Sequence, residues 1–251
     1  MKKIFKSMLP IVLLFIAWGI VSQYTNSLFL PKPSQVLNTT IEFYKNGMLM
    51  EAIIRSGIRV IFSTILACLV SIPLGLLMFS FEWIDDFLSP IITMFRYFPG
   101  NAFYPLLILW IGINDKMKIT FLFLVTFVYF LPTIVLCVKE VDNRLVETGY
   151  TMGMNKAQVI LKIVLPYCAP SICKNIVMML GMGWTYIPLA EMANAVNGLG
   201  HMINIGGARG RTDIVFCAIF IIIIISWITN LIANSLIEKS FKWKFKKPDV
   251  E

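Results

Sequence analysis

Five consecutive isoleucines, Ile221 to Ile225, lie inside an apolar stretch running from about residue 213 to 236. A helix needs about 20 apolar residues to cross the ~30 Å hydrocarbon core of a bilayer, and this stretch supplies them. In lipid the backbone must satisfy its own hydrogen bonds, so such a segment is held to a helix. Five more stretches are long enough to consider, at about 8–24, 53–80, 87–111, 118–138 and 171–195. Charged residues make up only 14% of the chain, against roughly 25% in a typical soluble domain. That is too few to coat a soluble surface around a chain that is 58% hydrophobic. The expected fold is an all-α membrane protein of about six transmembrane helices, a single membrane domain over 1–251.

The third stretch contains Arg96, Pro99, Gly100, Asn101 and Pro105, a set that predicts a broken or kinked helix. Residues Lys2, Lys3 and Lys6 precede the first apolar run, Met8 to Val21. No A-x-A-like cleavage site follows in Ser22 to Asn26, so this run is expected to be an uncleaved span. Six spans put both termini on one side. Lys139, Arg144, Lys156 and Lys162 of the 139–170 loop and Lys239, Lys242, Lys244, Lys246 and Lys247 of the tail share that side. By the positive-inside rule it is the cytoplasm, and the protein is expected to be multi-pass in a bacterial cell membrane. Glu82, Asp85 and Asp86 then fall inside, and acids weigh little in this rule. Arg209 and Arg211 fall outside, an irregularity that a dip of 196–212 back into the membrane would explain. The external 25–52 segment is punctuated by Pro31 and Pro33, with a surface helix expected over 34–50.

The net charge of +8 fits lysines and arginines at cytoplasmic helix ends, and no nucleic-acid partner is expected. The five cysteines form no C-x-x-C pair, and the single His201 cannot complete a zinc set with them. They read as apolar packing residues, and no metal is expected.

The 139–170 loop is the longest inward segment. Leu145, Val146, Val159, Ile160 and Ile163 recur at near-helical spacing among Arg144, Lys156 and Lys162. Gly153 and Asn155 suit a turn between two short helices, and Pro166 and Pro170 are expected to end the second where the fifth span begins. Two short helices there would form a knob for a soluble partner; an amphipathic helix lying on the lipid is the alternative.

The spacing in this loop resembles a known family. Glu147, Gly153 six residues later, and Ile163-Val164-Leu165-Pro166 match the cytoplasmic EAA loop of binding-protein-dependent ABC importer permeases. Leu30-Pro31-Lys32-Pro33 is similar to the Leu-Pro-x-Pro opening of the nitrate, sulfonate and taurine branch. Ser56 and Arg59, Arg96 to Pro99, and Pro105 to Gly112 resemble that branch's core spans. Trp184, Ala190-Glu191-Met192 and Gly198-Leu199-Gly200 resemble its fifth span and the loop after it. The likeness covers about 30–245. Two positions depart from the pattern. The loop's alanines are Thr148 and Gly149, the latter expected to loosen the first short helix by about 1 kcal/mol. Asn114 stands where the family has a second Gly after Trp110-Ile111-Gly112, with Asp115 kept as the acid.

The resemblance implies a permease subunit that pairs with a second permease copy, in a homodimer. ABC ATPase subunits would dock on the EAA helices and an extracytoplasmic solute-binding protein would deliver the solute. Glu147, Gly153, Ile163, Leu165 and Pro166 would form the ATPase-coupling element. No Gly-Lys dipeptide occurs, so no P-loop is present, and ATP and Mg would be bound by the partner ATPase, with no cofactor in this chain. The branch implies a small anion of the sulfonate, taurine or nitrate kind, while related permeases carry vitamin-precursor heterocycles. Arg96 and Glu191 are singled out as ionisable residues inside spans, each costing a few kcal/mol in hydrocarbon unless paired or facing water. Arg96 either contacts an anionic solute or is held with Glu191. Asn101, Tyr104 and Trp184 are candidates to line the same cavity, and His201 is read as a polar loop residue. An ion-coupled secondary transporter would explain the spans but gives no reason for the 147–166 element, and inverted repeats are not visible. A membrane-embedded enzyme would need a polar cluster that one histidine and sparse acids do not supply.

Overall fold

The computed structural model of the chain describes residues 2–95, 97, 99–192 and 196–245, and every regular element among them is helical. The order is α1 (Lys2–Tyr24), α2 (Pro33–Lys45), α3 (Met48–Ser80), α4 (Glu82–Phe95), α5 (Gly100–Ile111) and α6 (Asp115–Lys139). There follow α7 (Asn143–Thr151), α8 (Lys156–Val159), a π turn (Ile160–Val164), α9 (Leu165–Ala190), α10 (Leu199–Ala208), α11 (Thr212–Ser240) and α12 (Lys242–Phe245).

Among the described residues, four helical runs are long and apolar enough to cross a bilayer: Met48–Ser80, Asp115–Lys139, Lys156–Ala190 and Thr212–Ser240. Leu9–Tyr24 and Gly100–Ile111 are shorter apolar helices. The third apolar stretch is therefore two helices, α4 and α5, and each bears a proline, Pro90 and Pro105. The segment expected to be a surface helix over 34–50 is α2 alone. Pro33 occupies its first turn, the Lys32 amide donates to the Gln35 side chain at 2.9 Å, and the chain turns at Gly47 (φ 74°) into α3.

One expectation fails outright. Pro166 and Pro170 do not end the helix before the fifth span. Helical structure is continuous from Lys156 to Ala190. The reason is the π turn, in which the Leu165 amide donates to the Ile160 carbonyl five residues back. This wider turn loosens the ladder one residue before Pro166, whose missing N–H and bulky ring would otherwise disrupt it. At its far end α9 stops at Ala190, five residues before the expected limit of 195.

The chain forms two compact units. The first comprises Met1–Gly57 and Glu191–Ile224. In it Trp18 stacks on Phe216 at 5.8 Å and tilts against Phe220, and its indole donates to the Pro31 carbonyl at 3.1 Å. Thr39 donates to Asp213 at 2.6 Å, so α2 is tied to the start of α11. The second unit comprises Ile58–Ala190 and Ile225–Glu251. There α6 packs along α9 and also against α5 and α4. Phe130, Ile134, Val138, Val141, Val159, Val164 and Cys168 form its core, joining α6 to the loop and to α9.

Candidate functional site

The loop after α6 is built from local capping. Asp142 caps α7 by accepting the Arg144 amide at 2.9 Å. After Thr151 the chain turns at Gly153, whose φ of 79° is the left-handed conformation that suits glycine. The Met154 amide donates back to the Gly149 carbonyl at 3.1 Å. Asn155 and Gln158 then exchange side chain-to-amide hydrogen bonds, both 2.9 Å, in a capping box that starts α8. Short helix α7 and the turn at Gly153 and Asn155 are thus present as the sequence implied, while α8 is the first turn of the run that continues to Ala190.

Gly149 differs from its expected role. It is buried, and a Cβ there would lie 2.6 Å from Ile163 Cδ1 and 3.1 Å from Val159 Cγ2. The residue that loosens α7 as a helix former is also what lets α7 lie against the π turn. The five coupling candidates divide accordingly. Glu147, Gly153 and Pro166 are exposed, whereas Ile163 and Leu165 pack against the core. The same segment also exposes the apolar side chains Leu145, Tyr150, Met152 and Leu161. Lys156 lies over the Phe81 ring at 4.2 Å, which fixes the start of α8 to the end of α3.

A second polar centre is formed in the first unit. Glu191 lies one residue beyond α9 and is fully buried. Its carboxylate accepts from Ser56 Oγ at 2.9 and 3.0 Å and from the Gly200 amide at 2.8 Å. The same Ser56 oxygen accepts the Leu199 amide at 2.9 Å. The acid thus meets the N-terminus of α10, where free amides and the helix dipole favour negative charge. Gly198, the residue before α10, has φ 122°, and a Cβ on it would fall 2.3 Å from a carboxylate oxygen. Helix α10 takes in His201, which the sequence reading left in a loop. Its ten residues span about 15 Å, half of what a bilayer core requires.

Arg96 lies outside the described residues. Tyr104 is buried, packs edge-on against Phe121 at 5.3 Å and donates to the Ala190 carbonyl at 3.3 Å. Trp184 is buried and Asn101 is exposed. A cavity of about 70 Å³ does open between α5, α6 and α9. Its lining includes Gly100, Phe103, Val125, Tyr129 and Tyr186, and none of the three candidates.

Residues 67–242 match the family described as the binding-protein-dependent transport system inner membrane component. The taurine transport system permease protein TauC of Escherichia coli K12 is 30% identical over 92% of this chain and 86% of its own length. The aliphatic sulfonates transport permease protein SsuC of Bacillus subtilis, itself a putative assignment, is 27% identical over 94% and 86% respectively. A chain of the inward-facing MetNI methionine ABC transporter superposes with a TM-score of 0.69 at 16% identity, covering 76% of this chain and 95% of that one. The chain belongs to the binding-protein-dependent ABC importer permeases. Its relatives place it in the sulfonate and taurine branch, and the permease is a multi-pass membrane protein and a transport subunit.

Sequence reasoning passed over one ionic cluster in the permease. Arg59, nearly fully buried on α3, donates through Nε (3.1 Å) and Nη2 (2.8 Å) to Asp115 Oδ1, and Lys118, also buried, reaches the same oxygen at 3.2 Å. A cation inside an apolar stretch is what singles out Arg96 in 87–111, and it marks Arg59 in 53–80 equally. Nothing in the spacing of the 139–170 loop distinguishes half-buried Ile163 from exposed Leu145, because both occupy apolar positions at near-helical spacing.

Proposed function

We propose that this permease forms half of the translocation path of an ATP-driven importer for a small organosulfonate anion of the taurine type. The observation that carries the reading is the 30% identity to a taurine permease along nearly the whole chain. Two copies pair in a homodimer in the bacterial cell membrane, with both termini in the cytoplasm. A separate solute-binding protein delivers the anion from outside. ATPase subunits hold ATP and Mg and dock on the α7–α8 segment, whose exposed residues include Glu147, Leu145, Tyr150 and Met152.

The geometry of the loop supports a mechanical role. A push on α7 is transmitted where Gly149 abuts Ile163 and Val159, and those residues belong to the packing that joins the loop to α6 and α9. Close-packed interiors carry displacement rather than absorb it. Gly153, held at a positive φ between the two helices, sets the angle of α7. Arg96 is the proposed cation for the solute's anionic end. Tyr104 and Trp184 brace the surrounding helices from buried positions.

The test is uptake of labelled taurine into proteoliposomes holding the permease, its ATPase and its binding protein. Uptake that requires ATP and is competed by alkanesulfonates is expected. Uptake driven by an ion gradient without ATP, or competed only by a heterocycle such as a pyrimidine vitamin precursor, would overturn the reading.

A further inference from the structure

The end of α11 is followed by Lys239-Ser240-Phe241-Lys242-Trp243-Lys244-Phe245-Lys246-Lys247, in which lysines and aromatics alternate after Ser240. The transport reading leaves this tail without a role. Helix α11 is 29 residues long and crosses the bilayer, so the lysines leave the hydrocarbon where headgroups begin. After Ser240 the helix breaks at Phe241 and resumes as α12. One exposed lysine reaches back to α9: Lys244 Nζ donates to Ser171 Oγ at 3.0 Å and lies 5.4 Å from the centre of the Tyr167 ring. That contact ties α12 to the start of α9. It leaves Lys239, Lys242 and Trp243 exposed, the indole with 62% of its surface open.

We propose that this tail is a binding surface for anionic phospholipid headgroups, with Trp243 inserted at the interface and Lys239 and Lys242 supplying the charge. Tryptophan favours the interfacial zone because its ring is apolar and its N–H is polar. Lysines beside a spanning helix are attracted to anionic lipid within a Debye length of the surface. The Lys244 anchor makes the surface preformed, because α12 is fastened to α9 before any lipid arrives.

The experiment is native mass spectrometry of the purified full-length permease, released from micelles containing equal phosphatidylglycerol and phosphatidylcholine. Retention of phosphatidylglycerol over phosphatidylcholine is expected, falling about tenfold in a variant combining Lys239→Gln and Lys242→Gln. A control combining Lys32→Gln, Lys45→Gln and Lys116→Gln, three lysines outside the tail, is expected to keep the preference. Trp243→Ala in liposomes is expected to lower the protection of the tail from protease when phosphatidylglycerol is present. Equal lipid retention by the wild type and the tail variant would overturn the proposal. So would a tail protected only when an ATPase subunit is bound, since the occupant would then be protein. Neither result depends on which solute is carried.

Discussion

Single residues carry the sharpest consequences. Glu191 is a fully buried acid whose position depends on a glycine seven residues later. Gly198→Ala combines a disfavoured φ with a Cβ inside the carboxylate's contact distance, so it should cost more than about 2 kcal/mol. The measurement is thermal stability of the detergent-purified protein. A Gly198→Ala variant as stable as the wild type would contradict the cradle. Glu191→Gln keeps the shape and an acceptor for Ser56 and Gly200, so it should be milder. Gly149 tests the opposite balance. Gly149→Ala gains helix propensity of about 1 kcal/mol but meets Ile163 Cδ1, the movable end of a side chain, and should be near neutral. Gly149→Val adds bulk that the π turn cannot yield to, and is expected to lose about 1–3 kcal/mol and transport with it. Thermal shift and uptake on the two variants would separate these outcomes.

Elements respond through their caps and end contacts. Asn155 starts α8 with a reciprocal capping pair, so Asn155→Ala should destabilise the loop by about 1 kcal/mol and raise amide exchange in residues 155–159. Unchanged exchange there would mean the cap is not limiting. At the start of α4, the Lys139 ammonium donates to Asp85 at 2.5 Å, and this bond holds the Asp85 carboxyl below its ordinary value despite partial burial. A depressed carboxyl stabilises the fold above the unfolded pKa, about 3.9, and that contribution disappears as the pH falls through the lower folded value. Because the Lys139 side chain is 45% exposed, the pair is worth less than about 1 kcal/mol. Asp85→Asn should therefore lower stability slightly near neutral pH and flatten the stability profile below about pH 4. A steeper acid profile in the variant would contradict the pairing.

For the whole molecule, the coupling proposal predicts that Glu147→Ala combined with Gly153→Val inserts normally and fails to transport. Normal ATP-driven uptake by that double variant would remove the docking face from α7. Arg96→Ala should raise the solute concentration needed for half-maximal uptake while leaving stability unchanged, if the guanidinium meets solute. Loss of stability instead would assign it a structural role. Much of the design was legible in the chain. Apolar length alone determined that the protein is helical and crosses the membrane, because lipid allows the backbone few other solutions. Glycine and asparagine at 153 and 155 determined the turn of the loop, since local conformation and capping act over a few residues. The tertiary structure decided what depends on neighbours distant in sequence. It made the π turn that carries the helix past Pro166, the packing of Ile163 against the core while Leu145 stays exposed, and the meeting of Glu191 with Ser56, 135 residues away. These are questions of packing and hydrogen-bond satisfaction, and a buried group's partners need not lie near it in the chain.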